Sequence, residues 1–577
     1  GERRRIQPWQ PQDGETPAYR WNWSAPLLIS PHDPSTLYFA ANVVFRSPDR
    51  GDSWEVISPD LTRQISRDSL PLQGRIQPPN AIDLHASTAL FGNISALAVS
   101  AARTGQVAAG TDDGLVQVTR NGGESWHRTA LFPGVPEMMK VSSLAWSATE
   151  EGTLFAVFDG HKDNIFSPFV VRSDDYGATW QNVTGDLPEF GPTRSVAVHP
   201  REENLVFVGT EFGAFFSNQG GGRWTELPGL PTVAVHAMVV HPRANVLVLG
   251  THGRGFWVMD DLGLLEALGP QAAESHSLLA TPRRATQIRD TNRGRGSVGD
   301  TYWRAANPPR GAILDYWIGD EAEGEAVTLE ILDEAGSLIR KVQETSGARG
   351  AHRAVWDLRH PAPLGADGQP SRRSRGRFVL PGSYEVRLTV GTQVHKRTIP
   401  VRMDPEVSMD LEARRALDNT LELQAQLRGA AAMSGAAEDT VLAQMGTVID
   451  SLAHHAETPE NLEGEARTLQ ARAQTLQLRI QGPGQTGVAQ QETVLPLSSI
   501  TSRLYSSTEA WTGPPTADQL RFTKQTHQDM VALLASLRSL LEDDLPRLRQ
   551  AMTGAGIPWP AGEVPSIPEN LLPPVIS

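Results

Sequence analysis

The chain has no cysteine among its 577 residues. That excludes disulfides, thiol nucleophiles and thiolate metal ligands, but it leaves the compartment open, because a cysteine-free protein survives anywhere. No run of about 18 apolar residues occurs, so no membrane-spanning helix is expected. Positive charge is in deficit: 52 Lys and Arg face 66 Asp and Glu, for a formal net charge of −14. This argues against nucleic acid or an anionic membrane as the main partner. The N-terminal Gly1-Glu2-Arg3-Arg4-Arg5 lacks the apolar core of a signal peptide, so any export signal is expected outside this sequence.

Turn formers are abundant, with 52 Gly and 42 Pro, and hydrophobic content is ordinary at 39%. A globular chain this long exceeds one core, and three or more domains are expected. The first half is ordered by repeats. Leu27 to Ile57 reads as four short strands, PLLIS, TLYFAAN, VVFRSPD and WEVIS. The pattern returns as ISALAVS, QVAAGT, LVQVTRNGGESW; as VSSLAWS, TLFAVFDG, FVVRSDDYGATW; as RSVAVHP, NLVFVGT, AFFSNQGGGRW; and as HAMVVHP, VLVLGTHG, RGFWVMD. Four short strands in each repeat of about 40 to 50 residues describe a propeller blade, and five in-phase copies leave a β-sandwich with coincidental turns little room.

Within the repeats, Ser47, Asp49, Gly51 and Trp54 have the form Ser-x-Asp-x-Gly-x-Ser/Thr-Trp, the Asp-box, and Ser173, Asp175, Gly177 and Trp180 repeat it. The Asp is expected to cap the turn's amides, the Gly to take a conformation other residues avoid, and the Trp to bury beside the next blade. The motif is worn at Thr119 to Trp126 and at Ser217 to Trp224, where Asn121 and Gln219 replace the Asp. It sets the fold and names no reaction. The opening RRRIQPWQP reads as the outer strand of an earlier blade, so the chain reads as beginning in mid-propeller.

Residues 1–262 resemble the second half of a bacterial sortilin-like propeller with Asp-box (BNR-type) repeats. The matching residues are Arg46 to Gly51 with Ser58 to Leu61, Gly110 to Val116, Phe158 to His161, Gly209 to Gly213, and Gly250 to Trp257 running into Asp260-Asp261-Leu262. The resemblance implies a ring of roughly ten blades, about half of them absent here and supplied by another polypeptide, a cleaved piece or a swapped partner. It also implies a secreted, periplasmic or cell-surface location, and a wide tunnel that holds peptides or protein segments.

Residues 263–300 read as a loop-rich linker. Alternation over 301–404 fits a small Ig-like sandwich, with Val355, Trp356 and Leu358 in its core. The basic insert Ser371 to Arg377 reads as a solvated hairpin loop rather than an anion site. Residues 405–555 read as an antiparallel helical bundle. Its helices are expected from Ser408 as cap to Gly429, with Leu411, Ala416, Leu421 and Leu423 buried; from Ala437 to His455; from Pro459 to Gln481; from Ser498 to Trp511; and from Thr516 as cap, with Leu533, Leu537, Leu540 and Leu541 on one face and Pro546 as a kink. The segment 556–577 reads as a Pro-rich tail.

Blade phase puts the turn between second and third strands on the face opposite the Asp-box, the usual ligand face of a propeller. That phase gathers Asp112, Asp113, Asp159, His161, Glu211, His252 and Arg254 around one mouth. Two functions follow. One is a protein- or peptide-binding or assembly scaffold. The other is a glycoside hydrolase of the xyloglucanase or sialidase type, with Asp112 or Asp113 and Glu211 as the paired carboxylates. A sialidase needs an Arg cluster and a Tyr nucleophile, and here there are one suitable Arg, Arg254, and 7 Tyr. A xyloglucanase groove wants aromatics, and most of the 14 Trp are assigned to Asp-boxes and the sandwich core. The turn-forming Asp112-Asp113-Gly114 and Asp159-Gly160 need no further role. No metal or cofactor is assigned: His161 with Asp159 or Asp163 matches no ligand spacing, and Gly220-Gly221-Gly222 belongs to a worn Asp-box, not a phosphate loop. His199 and His241, each before a Pro, read as turn residues.

Overall fold

The computed structural model describes residues 5–13, 17–72, 74–82, 91–269, 275–288, 305–342, 345–455, 459–482, 495–560 and 562–572. The chain forms two compact units. The first comprises Gly1–Arg283, Asp315–Gly324 and Gly347–His352; the second comprises Arg284–Leu314, Glu325–Ser346 and Arg353–Ser577.

The first unit is built from five antiparallel meanders of β-propeller type, each a sheet whose strands pair in sequence order. Blade 1 runs Leu27–Ile29, Leu37–Ala40, Val44–Ser47, Glu55–Val56; blade 2 runs Ile94–Val99, Val107–Thr111, Val116–Thr119, His127–Thr129; blade 3 runs Lys140–Trp146, Leu154–Asp159, Phe169–Ser173, Gln181–Asn182. Blade 4 runs Thr193–Val198, Val206–Thr210, Ala214–Ser217, Thr225–Glu226, and blade 5 has three strands, Val235–His241, Val246–Thr251 and Phe256–Met259. Alternation gives each blade two faces. The forward face of blade 3, with Phe155, Val157 and Val170, buries against Val196, Val206 and Val208 on the back of blade 4. Phe207 and Ala214 of blade 4 meet Met238, Leu247 and Leu249 of blade 5 in the same way.

The strand registers make Ala145, Ala197 and Val239 equivalent, and likewise Val170, Ala214 and Phe256. In blade 5 that forward face is uncovered: Val239 is 61% exposed, Phe256 82% and Val258 54%. The back of blade 1 is its counterpart. Leu27 is 46% and Ile29 66% exposed, whereas Leu97, Leu144, Val196 and Met238, at the position of Leu27, are all buried.

The turns between third and fourth strands hold by side-chain caps. Ser47 Oγ accepts from Gly51 N (2.7 Å) and donates to Asp49, whose carboxylate accepts from Ser53 N (2.8 Å) and Ser53 Oγ (2.7 Å). Those Ser53 bonds lower the Asp49 pKa to about 2. Ser173 and Asp175 repeat the arrangement with Gly177 and Thr179. Asn121 reproduces it with Thr119 and Ser125. Gln219 does not: Asp186, from the preceding connection, caps Trp224 N instead (2.7 Å).

The tryptophans face the preceding blade, not the next one as the sequence reading expected. Trp126 Nε1 donates to Ile57 O (3.2 Å) and Trp224 Nε1 to Val183 O (3.1 Å), each just past the previous blade's outer strand. Trp180 is the exception, donating to Gly177 O of its own turn (3.0 Å). Trp54 donates to Ile6 O (2.6 Å), so Ile6 stands to blade 1 as Ile57 stands to blade 2. Residues 5–13 nevertheless carry no strand, contrary to the expected outer strand.

The second unit contains a five-stranded sheet in the order Ala285–Gln287, Gln393–Met403, Gly382–Val390, Val327–Leu332, Leu338–Val342; its first pair is parallel and the rest are antiparallel. Its first strand comes from the stretch 263–300, expected as a linker. That stretch also holds helix α1 (Gly263–Ala267) and strand Ser277–Leu279 in the first unit, elements too short for their alternation to register in the sequence. Trp356 and Leu358 are buried, but Val355 is only half-buried and Ala354 takes the inward position.

The rest of the second unit is helical: α2 (Leu411–His454), α3 (Glu460–Gln481), α4 (Leu497–Glu509), α5 (Ala517–Arg538) and α6 (Leu545–Gly554). The two helices expected over 408–455 are one helix of 44 residues, capped by Asp410, which accepts from Ala413 N (2.7 Å), rather than by Ser408. The small-residue run read as a break stays helical because it is a packing seam. A Cβ on Gly435 would lie 2.9 Å from Gln481 Nε2, and one on Gly429 would lie 3.2 Å from Leu364 Cβ. Leu411 and Ala416 are exposed; the buried stripe is Leu417, Leu421 and Leu427, with Leu423 half-buried. Thr516 caps α5 through a capping box, and Pro546 sits in the first turn of α6, after a π-helical turn at Ser539–Asp544. The basic insert is partly tied down, with Arg377 Nε on Asp418 Oδ1 (3.0 Å) and Ser374 Oγ accepting from Arg428 (2.7 Å). No helix among the described residues is long and apolar enough to cross a membrane.

Candidate functional site

Two positions in each blade converge at the end opposite the capped turns. One is the residue at the far end of the second strand, Asp112, Asp159, Glu211 and His252, which follows the last inner-strand pair in blades 2, 4 and 5 and forms an additional pair with Lys140 in blade 3. The other is an extra residue in the inner strand. Each inner strand of blades 2 to 5 carries a β-bulge there, falling on Ser95, Ser142, Arg194 and His236. A bulge re-aims the residue it inserts. Ser95 and Ser142 spend their hydroxyls on the next blade, donating to Val141 O and Thr193 O (2.8 Å each). Arg194 and His236 replace that hydroxyl with groups that reach the rim.

Arg194 is the hub. Its Nη1 pairs with Asp159 Oδ2, while Nε and Nη2 both donate to Glu211 Oε2 (2.9 and 2.6 Å). Asp159 is nearly sealed from water and also takes His161 N (3.1 Å) and His161 Nδ1 (2.7 and 2.8 Å). Arg194 Nη1 also lies 3.1 Å from His161 Nδ1. Lys140 pairs across from Asp159 in the sheet. Burial pushes its pKa below the ordinary lysine range, against the pull of Asp159. His236 lies beside His252, their ring centroids 5.5 Å apart. Burial, and then Arg194, lower its pKa.

Asp112 accepts from Asn93 N (2.9 Å), Gly92 N (3.1 Å) and Asn93 Nδ2 (2.9 Å). Desolvation still dominates, with the Asp113 charge adding to it, and raises the Asp112 pKa to about 6.

Of the residues expected at one mouth, Asp112, Asp159, His161, Glu211 and His252 belong to this rim. Asp113 does not. It is fully buried, and its carboxylate accepts from Thr111 Oγ1 (2.5 Å) and Arg63 N (2.7 Å), which pins the passing chain. The pairing of Asp113 with Glu211 as carboxylates is therefore corrected: Asp113 is out of reach of any ligand. Arg254 is exposed on the Thr251–Gly255 turn, and the hydrogen bonds of the rim do not extend to it. Lys140, Arg194 and His236 were missed. Aligning the inner strands as ISAL, VSSL, TRSV and VHAM exposes the last two, because a small hydroxyl position turns into Arg and then His. His199 and His241 do serve turns, accepting from Glu202 N (3.2 Å) and Ala244 N (3.0 Å) through Nδ1. Among the described residues, no group of three or more His, Asp or Glu could hold a metal ion.

No protein-family model and no curated protein matches the chain. Solved structures match weakly. An ancestral GH74 enzyme is 15% identical with a TM-score of 0.31, covering 66% of this chain and 53% of its own. The GH74 xyloglucanase from Xanthomonas campestris is 15% identical with a TM-score of 0.32, covering 64% and 57%. YCF48 bound to D1 peptide is 15% identical with a TM-score of 0.27, covering 42% and 67%. The chain thus spans a little over half the length of the two GH74 structures, and at these TM-scores none of the likenesses carries a function.

Proposed function

We propose that the chain is an exported binding and assembly module of the sortilin-like, Asp-box type, whose five blades are completed by further blades from another polypeptide. One observation carries this reading. On the forward face of blade 5 and the back face of blade 1, Phe256 and Leu27 lie bare at positions that every interior blade buries, among further exposed apolar residues. Leaving such surface in water forgoes about 2 kcal/mol for each large side chain, and a bare strand edge invites pairing. Blade 5 also has no fourth strand among the described residues. The sheet of the second unit is read as an Ig-like domain, added with the helices to extend the assembly surface.

The ligand of the rim is a peptide or protein segment, or a glycan. Arg194 holds Asp159 and Glu211 as ionised acceptors in fixed places, which suits hydrogen-bond recognition better than acid–base chemistry. Glycoside hydrolysis is the second reading, favoured by one feature: Asp112, with its pKa near 6, is poised as a general acid. Its base would have to be Glu211, already claimed by Arg194.

Affinity capture from native extract tests the first reading, comparing the chain with its Phe256→Glu/Val258→Glu variant. The expected result is a captured polypeptide, itself built of four-strand repeats, that the variant loses. A wild-type chain that recovers no such polypeptide and stays monomeric defeats it. Turnover of any polysaccharide in a broad panel, abolished by both Asp112→Asn and Glu211→Gln, would favour the second.

A further inference from the structure

Blade 1 differs from the other four-stranded blades at one position of its second strand. One pair in from the capping residue of the third strand, blade 2 has Ala108 and blades 3 and 4 have Phe155 and Phe207, but blade 1 has Tyr38. Tyr38 is only 5% exposed, and its hydroxyl has no hydrogen-bond partner among the described residues. A buried hydroxyl without a partner is unfavourable. Tyr38 lines a cavity of about 460 Å³, at the end of blades 1 and 2 that carries the capped turns and so opposite the rim. That size suits a small molecule. Burial pushes the Tyr38 pKa above the ordinary tyrosine range, so its proton stays available for donation.

The rest of the lining mixes donors with acceptors. Arg46 gives Nε to Glu55, and its two Nη groups make no hydrogen bond among the described residues. His32 Nε2 meets Ser100 O (2.9 Å), so the neutral ring donates there and keeps Nδ1 as an acceptor. The Thr104 hydroxyl is likewise unengaged among the described residues. Trp54, whose Nε1 is already given to Ile6 O (2.6 Å), adds apolar wall. The wall carries no positive excess for an anion. Its one guanidinium is met by Glu55, and Asp33, which accepts from Ser35 N (2.9 Å) and Thr36 Oγ1 (2.8 Å), is exposed to water that screens it. Hydroxyl groups, which donate and accept at once, match this mixture.

We propose that this cavity is a sugar-binding site that takes one neutral hexose residue of a glycan, with its hydroxyls on Tyr38, Arg46 and His32. It is separate from the rim and does not depend on the assembly reading.

Isothermal titration of the full chain with methyl glucoside, methyl galactoside and inorganic phosphate tests the proposal. Saturable binding of at least one glycoside is expected, tighter than that of phosphate. Tyr38→Phe removes only the hydroxyl and installs the residue that blades 3 and 4 already carry. It should leave the melting temperature unchanged or raised while weakening the glycoside about fivefold. Arg46→Met, at a side chain 39% exposed, should weaken it as well. Failure of both glycosides to saturate overturns the site. Glycoside affinity unchanged in Tyr38→Phe puts the sugar elsewhere and overturns it too, and a lowered melting temperature in that variant would show the hydroxyl to be satisfied within the fold. Phosphate binding as tightly as the glycosides overturns the choice of a neutral ligand.

Discussion

Arg194 illustrates what one side chain does in this molecule. It joins an acid on blade 3 to an acid on blade 4, and its own side chain is 12% exposed. Arg194→Ala should cost about 3 kcal/mol in urea unfolding, because it strands the buried Asp159 carboxylate. Glu211, about a third exposed, should add little, since water screens it. A loss below about 0.5 kcal/mol would show that the rim is not held this way. Asp112 should give the first unit a pH signature. Its folded pKa of about 6 stands above its ordinary 3.8, so the fold binds the proton more tightly than the unfolded chain does. Stability should therefore fall as pH rises from about 4 to about 6, by up to about 1.4 kcal/mol per unit, and stay level above that window. Thermal unfolding of Asp112→Asn should lack that slope; a variant that keeps it would place the titration elsewhere.

At the scale of elements, the blade turns and helix α2 make the sharpest claims. Gly123 has φ of +105°, and a Cβ there would lie 2.1 Å from Ile57 O of the preceding blade. Gly123→Ala should cost more than about 2 kcal/mol in chemical unfolding, whereas an ordinary exposed turn glycine would cost less than half that. In α2, Glu438 is buried, and neither carboxyl oxygen has a hydrogen-bond partner among the described residues. Desolvation, with Asp439 next to it, raises its pKa to about 8. The folded chain keeps a proton that the unfolded chain gives up, so the second unit should lose stability as pH rises from about 4.5 to about 8 and level off beyond. Glu438→Gln should remove that trend in a pH series of melts. The strands, capped turns and most helices were legible because period-2 alternation and the Asp, Gly and Trp spacings are local. The single long α2 was not, because Gly429 and Gly435 look like breaks until Leu364 and Gln481 are seen against them. For the same reason Asp112 and Asp159 were legible as rim residues, while Arg194 emerges only from the bulge, which is a property of strand pairing. Asp113 was misplaced because its partner, Arg63, is 50 residues away.

At the scale of the whole molecule, the run of blades ends in two bare faces. Val239, Phe256 and Val258 are exposed at one end, and Leu27 and Ile29 at the other; Phe256 and Leu27 occupy positions that every interior blade buries. The negative formal charge of −14 favours a polypeptide over a nucleic acid as what meets them. Hydrogen–deuterium exchange most directly tests whether further blades cover these faces, comparing the isolated chain with the assembly recovered from its native source. Exchange at Leu27–Ile29 and Phe256–Met259 should slow strongly in the assembly, while the already buried Val107–Thr111 stays unchanged. Equal exchange at both end strands in the two samples would contradict the assembly reading.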